Sequence, residues 1–189
     1  MSDTSRNPED LYPLLQEAWN YLRDKWNAEH SYGPEVRLSA TYRGPIDQEK
    51  AFLGGRSNAQ FGQSFHNFHP AYAFDVFFVV DGVADWSFPN FQKFGEMAEA
   101  IGLEWGGRWS TLVDGAHIQL KGMTIRDAAA GIVKASLTIP KDEEEGWAIV
   151  ILKDSKVLTA VEVPPNHAIF TRVSTNRRRF YVDVRPDSV

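Results

Sequence analysis

Two segments of the chain combine histidine with aspartate in a way that could bind a metal ion. The first contains His66, His69 and Asp75, and the second contains Asp114 and His117. Two neutral imidazoles and one carboxylate offer Zn²⁺ three ligands and leave a fourth position for water. A further carboxylate can hold that water or accept its proton. Because the chain has no cysteine, any metal site must use imidazole, carboxylate or water ligands.

Each of these residues also has an ordinary structural explanation. Asp75 lies in the apolar run Ala73–Phe78, where a lone buried carboxylate is costly unless it is paired or metal-bound. It could equally be a strand-edge carboxylate bonded to the backbone or to an arginine. His66 and His117, taken singly, fit core or surface histidines better than metal ligands. Only the combined pattern favours a metal site.

The combined pattern resembles a known family. It reads Ser-x-His from Ser64, Ala-x-Asp ending at Asp75, Trp-Gly-Gly-x-Trp from Trp105, and Asp-x-x-His ending at His117. This order is similar to the metallopeptidases that comprise D-Ala-D-Ala carboxypeptidases, D-Ala-D-Ala dipeptidases and L-alanyl-D-glutamate endopeptidases. The resemblance is strongest to the endopeptidase branch found among phage endolysins and bacterial autolysins. It covers roughly residues 10 to 135.

The resemblance implies a role for each matching residue. His66, Asp75 and His117 match the zinc ligands, and Asp114 matches the catalytic base. Arg43 matches the arginine that stabilises the developing oxyanion, a suitable task for a fixed positive charge. Without the motif, a structural salt bridge would be the better explanation of Arg43.

The chain departs from the family pattern at three places. His66 and Asp75 are nine residues apart, which is longer than the usual spacing, so His69 is a rival ligand. The retained Ser-x-His start favours His66. Arg108 replaces an acidic residue between the tryptophans and could alter substrate contacts. Gly115-Ala116 stands where a proline often precedes the last histidine.

Hydrophobic periodicity predicts the elements that carry these residues. Helices are predicted over 10–28 with Asp10 as N-cap, from Asp47 as N-cap up to Gly54-Gly55, over 91–101 with Asn90 as N-cap, and from Thr124 to about Val133. Strands are predicted at Val36–Tyr42, Ala73–Val80 and Ala116–Leu120, with a loop over 57–72. After the acidic run Asp142–Glu145, four β-rich runs follow, at Trp147–Lys153, Lys156–Val163, Ala168–Val173 and Arg179–Val184.

These elements predict an α+β fold, a small mixed or antiparallel sheet with packed helices and a C-terminal β-meander. The predicted domains are 1–140, a zinc peptidase, and 141–189, a β-rich extension that could bind cell wall or mediate self-association. A net charge of −5 argues against a nucleic-acid partner, the run Arg177–Arg179 being a local exception. No apolar run could span a membrane, and the N-terminus lacks the pattern of a conventional signal peptide.

The resemblance implies zinc-dependent hydrolysis of the peptidoglycan stem peptide at the L-alanyl–D-glutamate bond. D-Ala-D-Ala carboxypeptidase activity is the alternative within the family. A non-catalytic cell-wall-binding module and a virion structural protein are the alternatives outside it. Since no signal peptide is predicted, such an enzyme would reach the cell wall during phage lysis or through specialised export.

Overall fold

The structure is a computed structural model that describes residues 2–31, 33–140, 147–153, 156–163, 167–173 and 180–186. It divides the chain into two compact units, Met1–Ile139 and Pro140–Val189. The helices of the first unit are α1 (Pro13–Glu29), α2 (Pro45–Leu53), α3 (Phe88–Ala100) and α4 (Ile125–Ala129). Its strands are β1 (Glu35–Ala40), β2 (Ala73–Val80), β3 (Val83–Asp85), β4 (Leu103–Trp105) and β5 (His117–Leu120). The predicted α+β fold is confirmed.

The five strands of the first unit form one antiparallel sheet with β2 at its centre. The order is β1-β2-β5-β4, and β3 pairs with the far end of β2. Successive side chains of a strand point to opposite faces of its sheet. Phe74 and Phe78 are fully buried on one face of β2, and Asp75 and Phe77 therefore lie on the other face.

An aromatic core joins α1 and α3 to the first of these faces. Trp19 of α1 packs edge-on against Phe74, with ring centroids 5.7 Å apart. Trp26 lies two turns further along α1. Its ring centroid is 4.9 Å from that of Phe78 and 5.7 Å from that of Phe94 in α3. Full burial of each such side chain stabilises the fold by about 1.5–3 kcal/mol. Since both helices cover this face, the side chains of the opposite face are left to form a cleft.

Two of the predicted N-caps are wrong for the same reason, a competing local structure. Asp10 belongs to a separate 3-10 turn, and α1 begins after Tyr12. Asn90 lies inside α3, which begins after Ser87, and its side-chain amide donates to Asp85 at 2.8 Å. In the second helix, Gly44 is the N-cap, and Asp47 lies in the first turn instead.

The strands predicted at residues 73–80 and 116–120 are confirmed, whereas β3 and β4 were not predicted. Each of these two strands has three residues, too few to show a periodic pattern. The first strand ends at Ala40 rather than Tyr42, after a register shift against β2. The capping box of Thr124 and Asp127 is confirmed, but α4 ends at Ala129 rather than near Val133.

The second unit contains the four predicted strands, β6 (Trp147–Lys153), β7 (Lys156–Val163), β8 (His167–Val173) and β9 (Phe180–Pro186). They pair as two antiparallel hairpins, β6 with β7 and β8 with β9. No β7–β8 pairing, which would join them into one meander, occurs among the residues described there. The acidic run, the predicted turns and the arginine run lie outside the described residues. Throughout the described ranges, no helix is long and apolar enough to cross a membrane.

Candidate metal centre and cleft

The structure brings His66, Asp75 and His117 together on the open face of the sheet. One ligand atom from each residue lies within 4.8 Å of the other two. His66 Nε2 and His117 Nδ1 are 3.0 and 2.9 Å from the same atom, Asp75 Oδ1, and 3.2 Å from each other. All three side chains are buried. This compact triangle of donors is what a single metal ion requires.

Two strands and one turn position the three residues. Asp75 of β2 and His117 of β5 are direct cross-strand partners. His66 lies in a 3-10 turn, Phe65–Asn67, which Ser64 caps by accepting the His66 N–H. The Asn67 amide in turn donates to the backbone carbonyl of Arg43 at 2.9 Å. Ser64 thus acts on the site by fixing the turn that presents His66.

In His66 and His117, the ring nitrogen that faces away from the cluster is hydrogen-bonded to an acceptor oxygen. His66 Nδ1–H donates to the Thr41 carbonyl at 2.6 Å, and His117 Nε2–H donates to Gln119 Oε1 at 3.0 Å. The inner nitrogen of each ring therefore carries a lone pair, since a neutral imidazole has only one N–H. Sequence reasoning missed Thr41 and Gln119. The one available signal was that Gln119 lies two residues from His117 on a strand, hence on the same face.

The lone pairs of His66 Nε2, His117 Nδ1 and Asp75 Oδ1 face one another at 2.9–3.2 Å. They repel one another unless a proton or a cation lies between them. Burial alone would raise the pKa of Asp75, but the neighbouring imidazoles lower that pKa well below its usual range. Burial alone would lower the pKa of His117, but the Asp75 carboxylate overrides it and raises that pKa. A proton on His117 or a divalent cation would satisfy this demand. The donor set of two imidazoles and one carboxylate, with outer hydrogen bonds fixing both rings, fits zinc.

Arg43 lies beside the cluster and contacts its carboxylate. The guanidinium Nη2 donates to Asp75 Oδ2 at 2.7 Å, so Asp75 presents one oxygen to the histidines and the other to Arg43. The Arg43 backbone N–H donates to the His66 carbonyl at 2.8 Å. Arg43 therefore forms a salt bridge, as its structural explanation predicts, and its side chain also lines the cleft.

Asp114 lines the same cleft, three residues before His117. Its Oδ1 accepts the Ala116 backbone N–H at 3.2 Å, whereas Oδ2 has no hydrogen-bond partner among the described residues. Burial, together with the negative charge of Asp75, raises the pKa of Asp114 above its ordinary value. Asp114 thus has a free oxygen and an increased proton affinity beside the metal-ligand cluster.

The two glycines of the Trp-Gly-Gly-x-Trp motif permit close approach of backbone and ring. A Cβ at Gly106 would lie 2.7 Å from the Asp114 carbonyl oxygen and 3.1 Å from His117 Cβ. A Cβ at Gly107 would lie 2.1 Å from the ring of Trp105, which is buried in the core. A side chain at Gly106 would therefore displace the segment that carries Asp114 and His117, and one at Gly107 would displace the Trp105 ring.

Four other side chains of the first unit are divided between cleft, core and surface. Trp109 lines the cleft, with its ring centroid 5.0 Å from that of His117. Tyr72 is buried in the core. Arg108 pairs with Glu99 of α3 at 3.1 Å and is not among the cleft-lining residues. His69, the rival ligand, has a 66% exposed side chain that lies 3.7 Å from Asp10, outside the cluster.

The cluster opens into a cleft of about 860 Å³. Its wall includes all three candidate ligands, Arg43, Asp114, Trp86 and Trp109. A cleft of this volume suits a small-molecule or peptide ligand. The arrangement can hold a divalent cation, bind a substrate beside it and exchange a proton through Asp114.

Comparisons with known proteins agree with this chemistry. A family model described as D-alanyl-D-alanine carboxypeptidase matches residues 57–120. The peptidoglycan L-alanyl-D-glutamate endopeptidase CwlK of Bacillus subtilis (strain 168) is 26% identical over 133 residues, which cover 60% of this chain and 75% of the relative. The crystal structure of the Serratia marcescens L-Ala D-Glu endopeptidase ChiX shows 25% identity and a TM-score of 0.43, covering 67% of this chain and 92% of that one.

The matched segment contains the whole candidate centre, from His66 through Asp75 and Asp114 to His117. On that match and on the sequence likeness to the Bacillus enzyme, the segment that holds the candidate centre is similar to the metallopeptidase family described as D-alanyl-D-alanine carboxypeptidase.

Proposed function

We propose that this peptidase depends on zinc and hydrolyses the L-alanyl–D-glutamate bond of the peptidoglycan stem peptide. The observation that carries the proposal is the set of three inward-facing lone pairs beside a carboxylate with a free oxygen, all on one cleft. His66, Asp75 and His117 are the proposed ligands. The choice of bond follows the name of the similar Bacillus enzyme.

Asp114 is the proposed general base. Zinc bound by the three ligands supplies Lewis acidity and lowers the pKa of water. Asp114 Oδ2 accepts the proton of the attacking water, because Oδ1 is already engaged by the Ala116 N–H. The same oxygen then returns the proton to the leaving amine of D-glutamate. Burial and the negative charge of Asp75 raise the pKa of Asp114, which makes its carboxylate a stronger base for the first transfer.

Arg43 is the proposed electrostatic stabiliser of the transition state. Its guanidinium has five N–H donors, of which the Nη2 group binds Asp75. The other donors remain on a side chain that lines the cleft. A positive charge held in place by Asp75 can stabilise the oxygen on which negative charge grows, without moving during the reaction. The salt bridge therefore supports this role by orienting Arg43.

The proposal is tested by digesting purified peptidoglycan with the zinc-loaded protein and identifying the products by mass spectrometry. We expect fragments with a new N-terminal D-glutamate, and none from Asp114→Asn, which keeps the shape and the Ala116 hydrogen bond. Thermal melts of the variant establish that it is folded. Absence of cleavage by a zinc-loaded, folded wild-type protein would refute the proposal.

D-Ala-D-Ala carboxypeptidase activity is the second candidate, because the matching family model carries that description. The same digest separates the two reactions. A carboxypeptidase would release only terminal D-alanine and would leave the L-alanyl–D-glutamate bond intact. If the wild type gives that product pattern and Asp114→Asn does not, the proposed residue roles would apply to hydrolysis of the D-Ala–D-Ala bond instead.

A further inference from the structure

Trp86 is an exposed aromatic side chain in the wall of the cleft. It follows β3 and lines the same cavity as the three candidate ligands. Its relative exposure is 57%, although tryptophan gains more from burial than most side chains. Large apolar groups left exposed beside polar residues in a groove commonly mark a binding surface. Neither the metal centre nor the proposed catalytic residues account for Trp86.

The Trp86 ring is held as a rigid platform. It stacks nearly parallel on Phe77, with centroids 5.7 Å apart and 19° between the planes, and also touches Phe91 at 6.2 Å. The backbone after it is fixed by Asp85, which accepts the Ser87 N–H at 3.1 Å and the Asn90 amide at 2.8 Å. With one face covered by Phe77, the opposite face of the indole is available to a ligand.

The platform lies close to the metal centre along one strand. Phe77 comes two residues after Asp75 in β2, so both point to the same face of the sheet. Two strand residues span about 7 Å. Trp86 rests on Phe77, with ring centroids 5.7 Å apart, and so stands beside the residue that lies one strand repeat from the proposed zinc ligand Asp75.

Trp86 also offers a hydrogen-bond donor at the edge of its ring. The indole N–H groups of Trp26, Trp105 and Trp109 donate to carbonyl or carboxylate oxygens. The Trp86 N–H has no acceptor among the described residues. A flat apolar face combined with one N–H donor matches a pyranose ring, which presents C–H groups on its face and hydroxyl or ether oxygens at its rim.

We propose that Trp86 forms a saccharide subsite that binds the muramyl sugar of the substrate. The inference rests on the proposed function, because in peptidoglycan the L-alanine of the stem peptide is joined to the lactyl group of muramic acid. An extended residue spans about 3.3–3.6 Å. An L-alanyl residue and a lactyl group of similar reach therefore match the spacing of about 7 Å along β2 between Asp75 and Phe77, the residue on which Trp86 stacks. Trp86 would thus distinguish stem peptides attached to glycan from free peptides.

The test compares two soluble substrates, N-acetylmuramyl-tetrapeptide and the same tetrapeptide without sugar. In the zinc-loaded wild type, we expect a higher kcat/KM for the sugar-bearing substrate. In Trp86→Ala, the ratio of the two kcat/KM values should fall about tenfold, and Trp86→Phe should restore part of it. Phe61→Ala removes another exposed aromatic side chain, one outside the cleft lining, and should leave the ratio at its wild-type value.

A binding measurement makes the inference independent of catalysis. N-acetylmuramyl-L-alanine is titrated into the folded protein and followed by ligand-observed NMR, where Trp86→Ala should weaken Kd about tenfold. An unchanged kcat/KM ratio together with unchanged binding would overturn the sugar subsite while the proposed peptidase function stands. Hydrolysis of neither substrate by wild type would instead refute the proposed function, and the titration alone would then decide the role of Trp86.

Discussion

The direction of each imidazole lone pair depends on two acceptors that lie behind the metal-ligand cluster. Thr41 supplies a backbone carbonyl to His66, and no side-chain substitution can remove it. Gln119 supplies a side-chain oxygen to His117, and that contact can be removed. Hydrogen bonds of this kind fix the tautomer of a ligand and increase its basicity. Gln119 is therefore the residue through which the electronic state of the site can be tested.

Gln119→Leu is expected to lower zinc affinity about 10- to 100-fold, because His117 loses the acceptor that holds its lone pair toward the cluster. The affinity is measured by competition with a fluorescent chelator. Gln119→Glu keeps an acceptor oxygen at the same place and should retain most of the affinity. Equal affinity for wild type and Gln119→Leu would mean that His117 is oriented by packing alone, for instance by Trp109.

His66 and His69, the two candidate ligands, differ in burial and in hydrogen bonding. His66 is 1% exposed and has its outer nitrogen bonded to a carbonyl, whereas the side chain of His69 is 66% exposed. The longer spacing to Asp75 is accommodated by the capped turn at Phe65–Asn67. Sequence spacing alone left both histidines open, since neither burial nor the acceptor on Thr41 can be read from the chain.

At the scale of the element, α4 is held by a small network at its N-terminus. Asp127 accepts the Thr124 N–H and hydroxyl and also pairs with Lys134 at 2.7 Å. The bond from Lys134, followed by those from Thr124, lowers the pKa of Asp127 to about 2. A carboxyl group whose pKa is lowered on folding stabilises the protein above its unfolded pKa, and loses that effect as pH falls toward the folded value.

Wild type should therefore be more stable than Asp127→Asn at neutral pH, and the difference in Tm should shrink as pH falls from about 4 to about 2. The asparagine can keep part of the cap but not the ion pair with Lys134. Thermal melts of both proteins across this range measure the effect. A Tm difference that stays constant down to pH 2 would show that the charge of Asp127 does not stabilise α4.

The elements that could be predicted from the sequence are those whose pattern is long. The strand around Phe74–Phe78 and the helix that carries Trp19 and Trp26 each bury a regular series of side chains, which periodicity reveals. Helix starts were less predictable. Asp and Asn are favoured N-caps, but Asp10 lies in a 3-10 turn and the Asn90 side chain donates to Asp85. The hydrogen bonds around the site, such as His66 to Thr41 and Asn67 to Arg43, join residues far apart in the sequence, so no local sequence pattern predicts them.

The first unit has an α+β arrangement that separates stability from chemistry. Helices α1 and α3 cover one face of the sheet with an aromatic core, and the opposite face carries the candidate metal centre and the cleft. Because strand residues alternate between faces, the buried Phe74 and Phe78 anchor β2, while Asp75 and Phe77 between them serve the cleft. A substitution on the helix-covered face should therefore mainly change stability, and a substitution on the cleft face should mainly change activity.

Every cleft-lining residue that the structure describes belongs to the first unit, which predicts the outcome of removing the second. The segment up to Ile139 must be kept, because Val133, Leu137 and Ile139 pack against the core and the Thr138 N–H donates to the Ile101 carbonyl. A protein ending at Ile139 should hydrolyse a soluble muropeptide with a kcat/KM within about twofold of the full chain, since it keeps every cleft-lining residue that the structure describes.

A cut after Ala130 is the matched control, because it also removes the core contacts of Val133, Leu137 and Ile139 and should lower Tm. If the protein ending at Ile139 keeps its Tm but loses activity on the soluble substrate, residues 140–189 take part in substrate binding. If it loses activity only on intact cell walls, the second unit serves attachment to the wall, because the soluble muropeptide needs the cleft alone. The pair of substrates thus separates a catalytic from a wall-binding contribution of the C-terminal hairpins.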